Sequence, residues 1–308
     1  MKLNNLKGSL ILCTASLIWG LAFVAQADAA DVVPPFTFNA LRAFIGAGAL
    51  MIFYTFVNRK EKAPFFPKDK TGRKQYLAAA LVCGVLISVS VNFQQFGLAF
   101  YPEGTASEAR GGFITALYVV LVPVISFFVG KKINPVIWLS VLIALAGVYM
   151  LCLTGGIGGI YLGDVLIFLC SVCFSVHILA IDKYVGVTGG IKLSVMQFAV
   201  CGVISALLAL VFERPSLDGI LSAAPQILYL GIMSSGVAYT LQIVGQKFAE
   251  PSVASLSMSL ESVFAALGGW LISGNTLSIR EVIGCALVFA AIIVAQLPEI
   301  MQRKKAVV

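Results

Sequence analysis

Ten apolar runs of about 20 residues, each closed by charge, proline or glycine, dictate what this chain can become, because each is long enough to cross a bilayer as a helix. They are approximately Gly8 to Ala27, Pro35 to Val57, Gln75 to Phe100, Thr105 to Val129, Pro135 to Leu153, Leu162 to Asp182, Ile191 to Phe212, Pro225 to Phe248, Pro251 to Ile272 and Ile279 to Leu297. With 308 residues in all, the connections are short and no sizeable soluble domain fits between them. Charged residues make up 11% of the chain, against about 25% in a soluble domain, and 59% are hydrophobic. Such a composition excludes disordered, collagenous and disulfide-rich classes. The first run follows Lys2 and Lys7 but is too long for a signal-peptide core and lacks a persuasive cleavage site, so it reads as the first membrane helix.

All seven cysteines fall inside apolar runs, where a free thiol behaves as a small hydrophobe, and their odd number makes a poor disulfide framework. Cys170 and Cys173 would share a helix face, yet no other Cys or His has the spacing to complete a metal site. No metal and no cofactor is expected. The net charge of +7 comes from Lys and Arg clustered between runs, which leaves no basic face for nucleic acid.

Those basic residues orient the chain. With the N-terminus in the cytoplasm, 17 of the 21 Lys and Arg lie on that side, only Arg214 and Arg280 lie opposite, and Arg42 and Arg110 fall within runs. Both termini are therefore expected to be cytoplasmic. An internal repeat is also visible. Gly8 to Leu50 aligns without gaps with Gly163 onward, placing Trp19-Gly20 on Phe174-Ser175 and Arg42 on Gln197. Further along, Ser88, Asn92 and Gln95 fall on Ser235, Tyr239 and Gln242. Each half, residues 8–153 and 162–297, holds five runs. Because five is odd, the second half enters the membrane from the opposite side, the inverted-repeat plan of many secondary transporters, with a binding site near the midplane.

Polar side chains in the bilayer core are costly and should face protein or water. Here they form stripes. Ser88, Asn92 and Gln95 step by four and three along the third run; Ser235, Tyr239, Gln242 and Gln246 do the same along the eighth. Glu108, Gly111, Thr115 and Tyr118 repeat the pattern in the fourth, and Ser257 and Glu261 lie one turn apart in the ninth. Four such helices can enclose an aqueous cavity. The same groups can instead bridge neighbouring helices, the plainer reading for the serines of the ninth run and for the glycine pairs Gly111-Gly112 and Gly268-Gly269.

Arg42 lies seven residues past Pro35, about 10 Å into its helix, too deep to reach water easily. It would meet a substrate carboxylate or phosphate, or form an ion pair with Glu108 or Glu261. Glu261 sits near the middle of its run, where desolvation favours a neutral carboxyl, and is a candidate proton carrier. Glu108 is a second proton-coupling candidate, although it and Arg110, near a helix end, suit a gate or an interface pair better. His177, the only histidine, reads as a bridge between helices.

Several of these stretches resemble a known family. Ser16-Leu17-Ile18-Trp19-Gly20, Leu41-Arg42-Ala43-Phe44, Gln95-Phe96-Gly97-Leu98, the fourth run from Gly112 to Pro123, and Leu260 to Leu267 followed by Gly284 together resemble the drug/metabolite transporter superfamily, EamA type, over nearly the whole chain. The resemblance implies a ten-helix all-α membrane bundle of two inverted EamA repeats in the cell membrane, transporting and most often exporting small solutes such as amino acids, metabolites or toxic compounds. The chain departs from the family at Ser262, where a proline commonly follows the ninth-run glutamate and breaks the helix. It also carries Lys131 and Asn275 where acidic residues are frequent.

The leading expectation is a secondary active exporter working by alternating access. No Walker-type ATP site occurs, so a gradient, of protons if Glu261 or Glu108 carries them, would supply the energy. The expected substrate site comprises Trp19, Arg42, Asn92, Gln95, Thr115, Tyr118, Tyr239 and Gln242, with the aromatic rings packing an apolar moiety. A passive facilitator or importer of the same fold is the alternative. An intramembrane enzyme is remote: Asp164 and Asp182 lie about 27 Å apart at opposite ends of one helix and cannot form a dyad. The expected partners are a small-molecule substrate and the lipid bilayer; the oligomeric state is open.

Overall fold

The computed structural model describes residues 4–59, 64–102, 107–152, 160–273 and 278–307, and their regular structure is helical, with no strand among them. The first half contains α1 (Asn5–Ala30), α2 (Pro35–Val57), α3 (Lys70–Ala99), α4 (Ser107–Ala116), α5 (Tyr118–Phe128) and α6 (Pro135–Cys152). The second contains α7 (Leu162–Thr188), α8 (Gly190–Phe212), α9 (Leu217–Ser222), α10 (Ala224–Tyr229), a π-helical segment (Leu230–Ala238), α11 (Tyr239–Gln246), α12 (Pro251–Met258), α13 (Leu260–Ser273) and α14 (Ile279–Val307). Among the described residues, eight helical stretches are long and apolar enough to cross a membrane, and Pro135–Met150 and Pro251–Leu267 are shorter apolar helices.

Local chemistry sets the helix ends. Asn4 caps α1 by accepting from the Lys7 amide at 3.2 Å, and Asp69 caps α3 by accepting from Gly72 at 2.6 Å. The Asp69 cap starts α3 five residues before the apolar run, so its first turn carries Lys70, Arg73 and Lys74. Pro35 at the first position of α2 loses no hydrogen bond, because that amide has no partner in any helix. Gly189, at φ +76°, is the whole connection between α7 and α8, a backbone conformation that a side chain would strain.

The outer surface of the bundle is apolar, and polar side chains are buried inside it among the apolar core. Leu210 and Phe128 on its outer surface are 82% and 81% exposed, whereas Asn39, Gln95, His177 and Gln197 inside it are fully buried. An apolar exterior of this extent suits lipid, and the chain is a multi-pass membrane protein. Close packing comes from small residues: a β-carbon added at Gly147 of α6 would lie 2.8 Å from the Gly284 carbonyl of α14. Hydrogen bonds supplement it where α2, α3 and α8 meet. Asn39 donates to Asn92 at 3.0 Å, and Asn92 donates to the Ser205 hydroxyl at 3.0 Å.

Two ends can be told apart. At the near end, where α1 begins, the Asn4 amide donates to the Phe248 carbonyl and Lys131 pairs with Asp182 at 2.8 Å. At the far end the Glu213 carboxylate, just past α8, accepts from the amides of Phe36 and Thr37 and from the Thr37 hydroxyl, all at 2.7 Å. Arg110 of α4 also grips Asp164 of α7 there, through two bonds of 2.6 and 2.7 Å, and the Tyr101 hydroxyl joins at 2.8 Å. Burial and then the Asp164 carboxylate push the Tyr101 phenol above its ordinary range, so it remains a donor.

Candidate substrate cavity

A cavity enclosing about 510 Å³ of non-protein space, its open margin included, lies where the two halves meet. Three walls come from interrupted helices. The fourth run is broken at Leu117, whose amide reaches back three residues to Ile114 rather than four, and the break sits between the lining residues Thr115 and Tyr118. The eighth widens into the π segment, with Ser234 within it and Tyr239 and Gln242 in α11 just beyond it on the wall; such segments are frequent at functional sites. The ninth is broken at Ser259, between Met258 and Glu261, both lining.

The absence of proline at Ser262 had argued against this last break, and serine chemistry explains it. The hydroxyls of Ser255, Ser257 and Ser259 bond to carbonyls three or four residues back in their own helix, at 2.7 to 3.0 Å, and the Ser262 amide turns to Ser259 at 3.3 Å. Such back-bonding competes with the main-chain ladder and bends helices.

Two ionisable side chains face this space. Glu261, 5% exposed, accepts from the Tyr118 hydroxyl at 2.9 Å, across two broken helices. Arg42, 2% exposed, donates to the Gln26 side-chain oxygen at 2.7 Å and lies 5.8 Å from the Phe38 ring centroid. No carboxylate lies within 4.0 Å of it among the described residues, so the anticipated pairing with Glu261 does not form. The Glu108 side chain lies outside the described residues. A buried guanidinium held by a neutral amide is a costly arrangement that an anionic ligand would relieve.

Aromatic rings form the rest. Trp19 meets Tyr239 edge-on at 4.8 Å, and Tyr239 packs on Phe198 at 5.1 Å. The Trp19 indole N–H and the Gln242 carbonyl oxygen are buried without partners, a donor and an acceptor available to a ligand. His177 is a bridge between helices, 3.0 Å from Gln197, and is not on the wall.

Of the expected substrate residues, the structure brings together Trp19, Arg42, Thr115, Tyr118, Tyr239 and Gln242, with Glu261. Asn92 and Gln95 stand apart from the lining. Asn92 is engaged by Asn39 and Ser205, and Gln95 donates to the Gln26 carbonyl at 3.0 Å. One residue before it, Gln94 reaches the cavity and donates to Thr115 at 3.3 Å. Adjacent helix residues differ by 100° in direction, so the polar stripe of α3 faces neighbouring helices and its flanking residue faces the cavity. Gln26, Phe23 and Phe174 also line it; Phe174 could have been found as the repeat counterpart of Trp19.

The multi-pass helical bundle thus closes two ionisable groups, aromatic rings and unpaired hydrogen-bonding atoms around one central space. The sequence profile of the EamA-like transporter family matches residues 6–153 and again 161–296. The chain belongs to that family. Its relatives are transporters by name. An uncharacterized transporter of Archaeoglobus fulgidus is 30% identical over 96% of this chain and 87% of its own length. The inner membrane transporter YedA of Escherichia coli is 24% identical over 95% and 91%, and YoaV, a transporter of Bacillus subtilis, 21% identical over 91% and 93%. A solved crystal structure matches with a TM-score of 0.76 over 94% of this chain and 96% of that one; at 22% identity the two share a fold.

Proposed function

We propose that this transporter is a secondary active exporter of the cell membrane, in which two inverted five-span halves, residues 8–153 and 162–297, rock about the central cavity by alternating access. The near end is the cytoplasmic one in this reading, since the basic residues cluster there. The substrate is a small solute bearing a carboxylate or phosphate for Arg42 and an apolar or aromatic part for Trp19, Tyr118, Phe174 and Tyr239. Glu261 carries the coupling proton, with the Tyr118 hydroxyl as its partner when it is charged. The observation that carries the reading is Arg42, buried at the cavity wall beside a neutral amide and with no described carboxylate in reach.

The test is purified protein in liposomes, screened by counterflow with labelled amino acids, sugar phosphates and cationic drugs. Anionic or zwitterionic solutes should exchange and Arg42→Gln should abolish that exchange; exchange of cationic drugs alone would overturn the assignment of Arg42. For a solute that exchanges, Glu261→Gln is expected to eliminate flux driven by a pH gradient while leaving counterflow intact. Unchanged pH-driven flux would remove Glu261 from the mechanism.

A further inference from the structure

The gap-free alignment that sets Trp19 on Phe174 also sets Ser16 on Ser171. Both serines are fully buried, and each lies one turn before its aromatic, which lines the cavity. Each also points its hydroxyl out of its own unbroken helix at the break in a facing one. Ser171 of α7 donates to the Thr115 carbonyl at 3.0 Å, two residues before the break at Leu117. Ser16 of α1 lies 3.3 and 3.1 Å from the carbonyls of Ser257 and Met258, directly before the break at Ser259.

The chemistry of a broken helix explains the match. In an unbroken helix the Met258 carbonyl would accept from the Ser262 amide, but that amide bonds to Ser259 instead. The displaced carbonyl, on a residue buried among helices, needs a donor from another helix. We infer that Ser16 and Ser171 are paired positioning residues: each supplies the hydrogen bond that holds one helix break at the cavity wall and ties it to the aromatic residue one turn away. Ser16 has an additional option, because the Leu12 carbonyl of its own helix is 3.0 Å from the same hydroxyl. Its single proton can satisfy either helix, so the ninth-run break can be released without leaving the hydroxyl unpaired. Among the described residues the Ser171 hydroxyl has no second acceptor, since Ser175 donates to the Ser171 carbonyl rather than receiving from its hydroxyl.

The inference concerns the machinery of the proposed carrier, but its test requires no transported solute, so it can fail while the transport reading stands. Amide hydrogen exchange is measured by mass spectrometry on the full chain in lipid nanodiscs. Ser16→Ala should speed exchange in residues 259–263 by about fivefold, the scale of one lost hydrogen bond, and leave residues 117–121 unchanged. Ser171→Ala should do the reverse. Ser140→Ala is the control, because the Ser140 hydroxyl bonds only within its own helix, to Val136 at 2.9 Å, and both breaks should stay as they were. Acceleration at both breaks in each variant, or at neither, would overturn the assignment.

Discussion

The broken pair α4/α5 against α7 and the broken pair α12/α13 against α1 have the same layout and are fastened by different means. Along α7 the ends carry the load: Arg110 with Asp164 at the far end and Lys131 with Asp182 at the near end. Along α1 the backbones themselves touch. A β-carbon at Gly20 would lie 2.7 Å from the Glu261 carbonyl and the Ala265 amide, and the Ser9 and Ser257 hydroxyls are hydrogen-bonded at 2.7 Å. Ion pairs at helix ends can exchange with water and re-form, whereas interlocked backbones resist sliding. The difference makes the α7 contact the one that answers to charge and salt and the α1 contact the one set by steric fit.

Three substitutions, in falling order of effect, would break or sharpen that contrast. Arg110→Ala removes one member of a pair whose side chains are each 10% exposed, leaving Asp164 with only Tyr101 and a backbone amide; it should cost about 3 kcal/mol, low for a buried pair because the cluster sits at helix ends. Thermal melting of the purified protein would register it, and a melting point within error of the parent would mean the α7 side does not depend on charge. Gly20→Ala forces α1 away from α13 and should cost about 2 kcal/mol by overpacking. Its melting point should be indifferent to added salt, so a salt-dependent loss would contradict a purely steric fastening. Lys131→Ala, at a pair exposed by 46% and 30%, should cost less than about 1 kcal/mol and should matter least in high salt. A loss equal to that of Arg110→Ala would erase the distinction between the two ends.

Most of the architecture was legible as apolar runs, since lipid permits only elements that satisfy their own backbone. The breaks were less so. Leu117 carries no breaker of its own, and the break at Ser259 arises from several serine hydroxyls acting together in place of the missing proline. Cavity-lining residues were readable where they were deep, single and ionisable, as Arg42 and Glu261 are. Helix phase was not readable to within one residue, which is why Gln94 rather than Gln95 reaches the cavity. The bond from Tyr118 to Glu261 joins positions 143 residues apart, a proximity that no local pattern encodes.

The single-glycine connection at Gly189 has a mechanical corollary. With no slack between them, α7 and α8 must travel as one fork, and any tug on the Asp164 tine is delivered within a residue's length to the tine whose far tip, at Glu213, grips the start of α2.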